Sequence, residues 1–301
     1  MPDHALFINP RESIVNKHRK LIGLIVIPAL LAGIGLAQRT ARELPSHATG
    51  TPVWTNDAAF PKDVFTFVRI KYDVNGKYGY GHTPGGPKKR WLIDAPDSDL
   101  NLSFRLQQMT SIKVNPEGLF LELTDKELFD YPFIYIVEPG RLTFTEEEAA
   151  ILRRYLLNGG FLMVDDFWGE REWRNFQQEL KSVFPDRESV PLPLEHPIFH
   201  CVFDLQKKPQ VPGLPHIVNT FSGEPLVPPG TEITWEVSDA KEVDYRAIYD
   251  DKGRIMVMIC HNTDLGDGWE QEGFSEYYFR EYCEKKAFPM GINVIYYAMT
   301  H

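Results

Sequence analysis

Five consecutive apolar, β-prone residues, Phe133 to Val137, open the most clearly patterned stretch of the chain. An unbroken run of that length fits a strand buried on both faces. Thr145 and then Glu146, Glu147 and Glu148 mark a helix start: the threonine can cap, and Glu148 stands where a capping box needs it. Acids in a first turn also suit the helix dipole. Ala149, Leu152, Tyr155 and Leu156 recur at helical spacing, and Asn158-Gly159-Gly160 ends the helix. Phe161 to Val164 is a second apolar strand. A strand–helix–strand unit this compact predicts parallel strands.

The same reading extends outward. Phe65 to Ile70 predicts a first strand, Gly118 to Leu123 another, and between them a helix begins near Leu100 with Leu102, Leu106 and Met109 on one face. Asp97 or Asp99 can cap that helix. Trp173, Phe176, Leu180 and Phe184 give a helix over 172–184, closed by Pro185. Thr231 to Val237 and Tyr245 to Ile248 alternate like strands; Asp250-Asp251-Lys252-Gly253 predicts a hairpin turn into the strand Arg254 to Cys260. The final stretch, Ser275 to Met299, is helical, with Pro289 expected to break it in two.

The first 37 residues differ in kind. Lys17, Arg19 and Lys20 precede an uncharged, mostly apolar run, Leu21 to Ala37, which closes on small residues. That is a secretory signal pattern. Seventeen residues of helix span about 25 Å, slightly short of a bilayer core, so an uncleaved membrane anchor is the second reading and a buried core helix the third. Residues 38–63, rich in Pro, Ser, Thr and Ala, then read as a linker or extended arm, and residues 64–301 as one α/β domain. A periplasmic or other extracytoplasmic location follows, with inner-membrane attachment if the segment is retained. Among 301 residues the net charge is −10, which argues against nucleic acid as a partner. Three cysteines, Cys201, Cys260 and Cys283, build no disulfide framework.

Candidate chemistry gathers at strand ends. Asp165 and Asp166 follow the strand Phe161–Val164, and Glu138 follows Phe133–Val137. Ligands of open α/β sheets bind outside the carboxyl ends of strands. His261, Asn262, Asp264 and Asp267 crowd the end of a third strand, beside two glycines. Helix caps and loop braces are the plain alternative for such acids. Other motifs fail on inspection. The glycine-rich segment GHTPGGPK carries proline where a phosphate loop needs lysine. His196 and His200 have metal-ligand spacing but enclose Pro197, and the acids at 264–267 lack the twelve-residue calcium-loop pattern. No metal or cofactor is expected from these motifs.

Several segments, FVRIKYD, NLSFRLQQMTS, YLLNGGFLMVDDFWG, HPIF and HNTDLGDGW, together resemble the bacterial family known as domain of unknown function 4159. The resemblance runs from Phe65 to the end. That family is similar to the class I glutamine amidotransferase-like superfamily. The implied fold is a flavodoxin-like three-layer sandwich with a mostly parallel sheet. Active amidotransferases carry a cysteine on the turn after the central strand. Here the turn holds Asp165-Asp166, so glutaminase chemistry is not expected.

Two functions follow. One is a non-catalytic ligand-binding or assembly module with an unidentified protein or small-molecule partner. The other is a hydrolase that divides acid and base roles among Asp165, Asp166, His261 and Asp264. Alternation along an extended chain sends adjacent side chains to opposite faces. Only one of the pair can therefore aim into the main crevice; Asp166 is expected to be that one, because Asp165, nearer the packed strand, needs internal hydrogen bonds and should cap or brace the loop through Trp168. His261 and Asp264 are expected to approach from the neighbouring strand.

Overall fold

The computed structural model describes residues 39–57, 63–74 and 87–301, which belong to one compact unit. The basic flank and the apolar run Leu21–Ala37 lie outside the described residues. Among those described, no helix is long and apolar enough to cross a membrane.

Seven strands form the main sheet: β1 (Val68–Lys71), β3 (Leu119–Glu122), β4 (Phe133–Val137), β6 (Phe161–Asp165), β7 (Val190–Pro191), β8 (Asp244–Tyr249) and β9 (Ile255–His261). Their spatial order is β3-β1-β4-β6-β9-β8-β7. The five from β3 to β9 run parallel, with Phe133 opposite Phe161 and Leu162 opposite Val257. The last two are antiparallel, joined to the rest by the β8–β9 hairpin. A small ribbon pairs β2 (Asp73–Val74) with β5 (Leu142–Thr143).

Alternation along the buried strands sorts the core into two layers. Phe133, Tyr135, Val137, Phe161 and Met163 face helix α1 (Asp97–Met109) and the C-terminal helix. Ile134, Ile136, Leu162 and Val164 face α2 (Glu146–Leu157) and α3 (Gly169–Val183). Helices on both faces of a mostly parallel sheet fit a flavodoxin-like sandwich. The capping box of α2 is complete: Glu148 N donates to Thr145 Oγ1, and Thr145 N donates to Glu148 Oε2.

Three expectations are corrected, and one of two alternatives is favoured. Helix α1 starts at Asp97 on Pro96, and neither Asp97 nor Asp99 caps it; Asp97 instead accepts from Ser46 Oγ and His47 N. Residues 231–237 form no strand, because their alternation is met by loop contacts such as Thr234 Oγ1 with Gln210. Of the linker and the extended arm, the segment 39–57 fits the arm: Arg42 donates to Pro116 O and Trp54 Nε1 to Val114 O, fixing it on the domain. Finally, Pro289 does not break the last helix. Residues 276–300 stay helical as Glu276–Tyr278, a π-helical stretch Phe279–Ala287, and Phe288–Thr300. The proline falls at the second residue after the change of winding, where a missing N–H is tolerated.

Candidate functional site

The site starts with a charge buried in a strand. Arg69 of β1 is wholly inaccessible. Its guanidinium pairs with the equally buried Asp99, donates to Ser98 Oγ, and holds Trp91 O at 3.0 Å and Ile93 O at 2.7 Å. Its Cζ lies 5.2 Å from the centre of the Tyr135 ring. One side chain thus shapes the loop before α1, including the cis Ala95–Pro96 peptide and Asp94.

Asp94 is one of four described non-glycine residues with positive φ, at 63°; the others are Glu138 (48°), Asp166 (57°) and Asn262 (61°). Glu138, Asp166 and Asn262 each directly follow, or lie one residue beyond, the end of a parallel strand. Left-handed backbone is costly for residues with a Cβ, and such residues cluster where surrounding structure holds them for a purpose. Here the loops after β6 and β9 are zipped together. Asp166 N donates to Thr263 O, and Asn262 N to Phe167 O. Asn262 also accepts from Gly169 N and donates to Glu242 O, anchoring the start of α3.

This framework collects acids. One oxygen each from Asp94, Asp166 and Asp264 lie within 4.8 Å of one another; so do oxygens of Asp94, Asp267 and Glu270. Asp264 caps the short helix α4 (Leu265–Glu270) by accepting from Asp267 N at 2.7 Å. Asp166 Oδ1 accepts from Trp168 Nε1 at 3.2 Å. Asp267 Oδ2 accepts from Leu214 N, and Glu236 accepts from Gly213 N at 2.7 Å. Glu138 pairs with Arg90 at 2.6 Å.

Burial is the main force on these carboxyls, and like charge adds to it. Asp94, Asp166 and Asp264 are pushed well above the usual carboxylate range by desolvation and then by one another and neighbouring acids. Desolvation and Asp267 lift Glu270 to about 8. Desolvation lifts Glu138 to about 7, although Arg90 opposes it. Asp165 also rises to about 7 through burial, against the hydrogen bonds it accepts.

The structure separates the residues expected to act together. Asp166 and Asp264 meet, and Glu138 lies beside Asp166, close enough to repel it. Asp165 takes the internal hydrogen bonds expected of it, accepting from Gly266 N at 2.9 Å and Tyr135 Oη at 3.3 Å, but the brace through Trp168 is corrected, since Trp168 Nε1 donates to Asp166. The left-handed turn at Asp166 breaks the strict alternation on which that expectation stood. His261 does not join the acids. Its Nε2 lies 3.2 Å from Gly169 O, and its ring packs 4.7 Å from Phe167 and 5.0 Å from Trp173. The cause is strand alternation: Ile259 faces α3, and His261, two residues on, shares that face. Desolvation lowers its pKa. His196 and His200 do not converge either; His196 Nδ1 caps Ile198 N, and His200 bonds Asp204.

Two cavities, of about 600 and 1070 Å3, open at the amino ends of the strands, beside Gly159 and Arg254 and beside Phe65 and Pro132. Neither is lined by an acid of the cluster. Cys201, Cys260 and Cys283 are free thiols raised by burial, and none sits on the Asp165–Asp166 turn. Sequence reasoning missed Asp94 and Glu270. Asp94 has no local signal, since Arg69 sets its position from a distant strand; Glu270 follows Asp267 by three residues on a helix and was readable from that spacing.

The fold and its cluster therefore define an α/β sandwich with a carboxylate-lined site at the carboxyl ends of parallel strands. Residues 66–299 match the family described as domain of unknown function (DUF4159), and the chain belongs to that family. No curated protein matches it.

Proposed function

We propose that this chain is an exported binding module that holds a cationic ligand in the carboxylate cluster at the carboxyl ends of the strands. Its domain resembles a glutamine amidotransferase that has acidic residues in place of the nucleophilic cysteine. The observation that carries the reading is the convergence of half-buried Asp94 with the buried Asp166 and Asp264, drawn from three separate loops. Buried like charges repel strongly, so a sequence that assembles them gains from a positive partner. Export rests on Lys17, Arg19 and Lys20 before the run Leu21–Ala37.

A thermal-shift comparison of the full chain with divalent metal salts and with organic ammonium ligands tests this. At least one cation should raise Tm, and Asp166→Asn should abolish the rise while leaving the far-UV circular dichroism intact. A rise unaffected by Asp166→Asn, or none for any cation, contradicts the reading. The second reading is a hydrolase at the same cluster, favoured by Glu270, whose pKa of about 8 keeps a protonated acid near neutral pH. His261 takes no part in it, since its contacts are with Gly169, Phe167 and Trp173.

A further inference from the structure

We propose that the carboxylate cluster holds two hard divalent cations, of the magnesium, manganese and calcium class, bridged by Asp94. The inference rests on the cation-binding reading above and gives it a stoichiometry and a ligand set. Asp94 belongs to both groups of converging oxygens: with Asp166 and Asp264 on one side, with Asp267 and Glu270 on the other. Two oxygens bound to one such ion are separated by at most twice a bond of about 2.0–2.6 Å. A mutual spacing within 4.8 Å meets that limit for each group at calcium bond lengths, and the shorter bonds of magnesium would draw the oxygens slightly closer. Carboxylates without imidazole or thiolate select hard cations over zinc or copper.

Three independent observations point to missing positive ligands. The first is orphaned oxygen. Asp94 Oδ2, Glu138 Oε2 and Asp165 Oδ1 are buried without a hydrogen-bond partner. The other such carboxylate oxygen among the described residues, Glu127 Oε1, is paired with Arg39. Asp165 is wholly inaccessible, and it shares its surroundings with Asp94: Gly266 N donates to Asp165, while a Cβ on Gly266 would strike Asp94 Oδ2. Buried acceptors without donors call for an ion or ordered water.

The second is preset orientation. Trp168 Nε1 fixes Asp166, Asp267 N fixes Asp264, Leu214 N fixes Asp267, and Gln271 Nε2 fixes Glu270. Outer hydrogen bonds that aim each carboxylate are what a metal site requires. The third is charge. Arg69 is spent on Asp99 and Arg90 on Glu138. Among the described residues the five converging carboxylates, with Asp165 and Glu236 beside Asp166, outnumber these cations, and bound divalent ions would offset that excess. Glycine at 266 keeps the space beside Asp94 Oδ2 clear.

The test is a Mn2+ titration of the chelator-treated full chain, with free Mn2+ read by electron paramagnetic resonance. The unaltered chain should take up two ions, close enough for their spins to couple. Glu270→Gln should take up one and lose the coupling. Asp94→Asn should weaken both steps at least tenfold, with circular dichroism confirming its fold. One ion in the unaltered chain, or two with Glu270→Gln unchanged, overturns the pair. A single ion lost in Asp166→Asn would overturn the pair and leave the cation-binding reading standing. No uptake, together with no thermal shift by any metal or ammonium ligand, overturns both.

Discussion

Arg69 and Asp99 show how a single residue pair governs a site it does not enter. Both are wholly buried, and the guanidinium also holds the carbonyls of Trp91 and Ile93, three and one residues before Asp94. Asp99 raises the Arg69 pKa only after overcoming desolvation, the larger influence. Removing one partner of a buried pair leaves an uncompensated charge, at a cost of roughly 3–5 kcal/mol. Asp99→Ala should therefore destabilise by about that much in urea unfolding, and Arg69→Met combined with Asp99→Leu should cost less than Asp99→Ala alone. Equal or greater loss in the double variant would show that the pair's worth lies in its hydrogen bonds to the loop. At this scale the sequence was partly legible. Asp165 and Asp166 stand out because an apolar strand ends on them. Asp94 does not, because its left-handed backbone and position depend on an arginine 25 positions earlier in the chain.

Elements were the most legible level, wherever local chemistry agreed with packing. Helix α2 carries its own start and stop, and the structure places both where Thr145 and Asn158 put them. Its cap is solvent-facing and makes no contact with the acids, so its loss should be purely local. Thr145→Ala should lower stability by about 1 kcal/mol without altering cation binding. Thermal unfolding in the presence and absence of Mn2+ measures both quantities; a changed ion affinity would mean the α2 start is coupled to the cluster. Legibility failed at 231–237, where strand-like alternation arises in a loop, and at Pro289, where a change of winding absorbs the proline. In both places tertiary packing overrides a pattern that is locally sound. His261 is a subtler case. Its strand was legible, and so was the period of two that turns it away from the acids, but the face on which α3 packs was not.

For the whole molecule, the carboxylate cluster makes stability depend on protons. Asp165 and Glu138 titrate near 7 and Glu270 near 8 in the folded state, mainly because they are buried, against ordinary values of 3.8 and 4.5. His261 and His196, lowered by burial, oppose this within the window, but the raised carboxyls outnumber them, so the folded chain binds more protons than the unfolded chain between about pH 4 and 8 and its stability falls as pH rises through that window. Asp186, held near 2 by its hydrogen bond to Arg153, has the opposite sign but acts below that window. Chelator-treated protein should accordingly melt at a lower temperature at pH 8 than at pH 5, and Mn2+ should reduce or reverse the difference by stabilising the ionised acids. A cation-free protein that is more stable at pH 8 would refute the electrostatic reading of the cluster.

The most direct test of a cation site at the carboxyl ends of the strands is anomalous diffraction from a crystal grown with Mn2+. The account predicts anomalous density within about 2.5 Å of carboxylate oxygens of Asp94, Asp166 and Asp264. Density confined to the cavities at the amino ends of the strands, or a cluster holding only water while the three acids stay protonated, would contradict it.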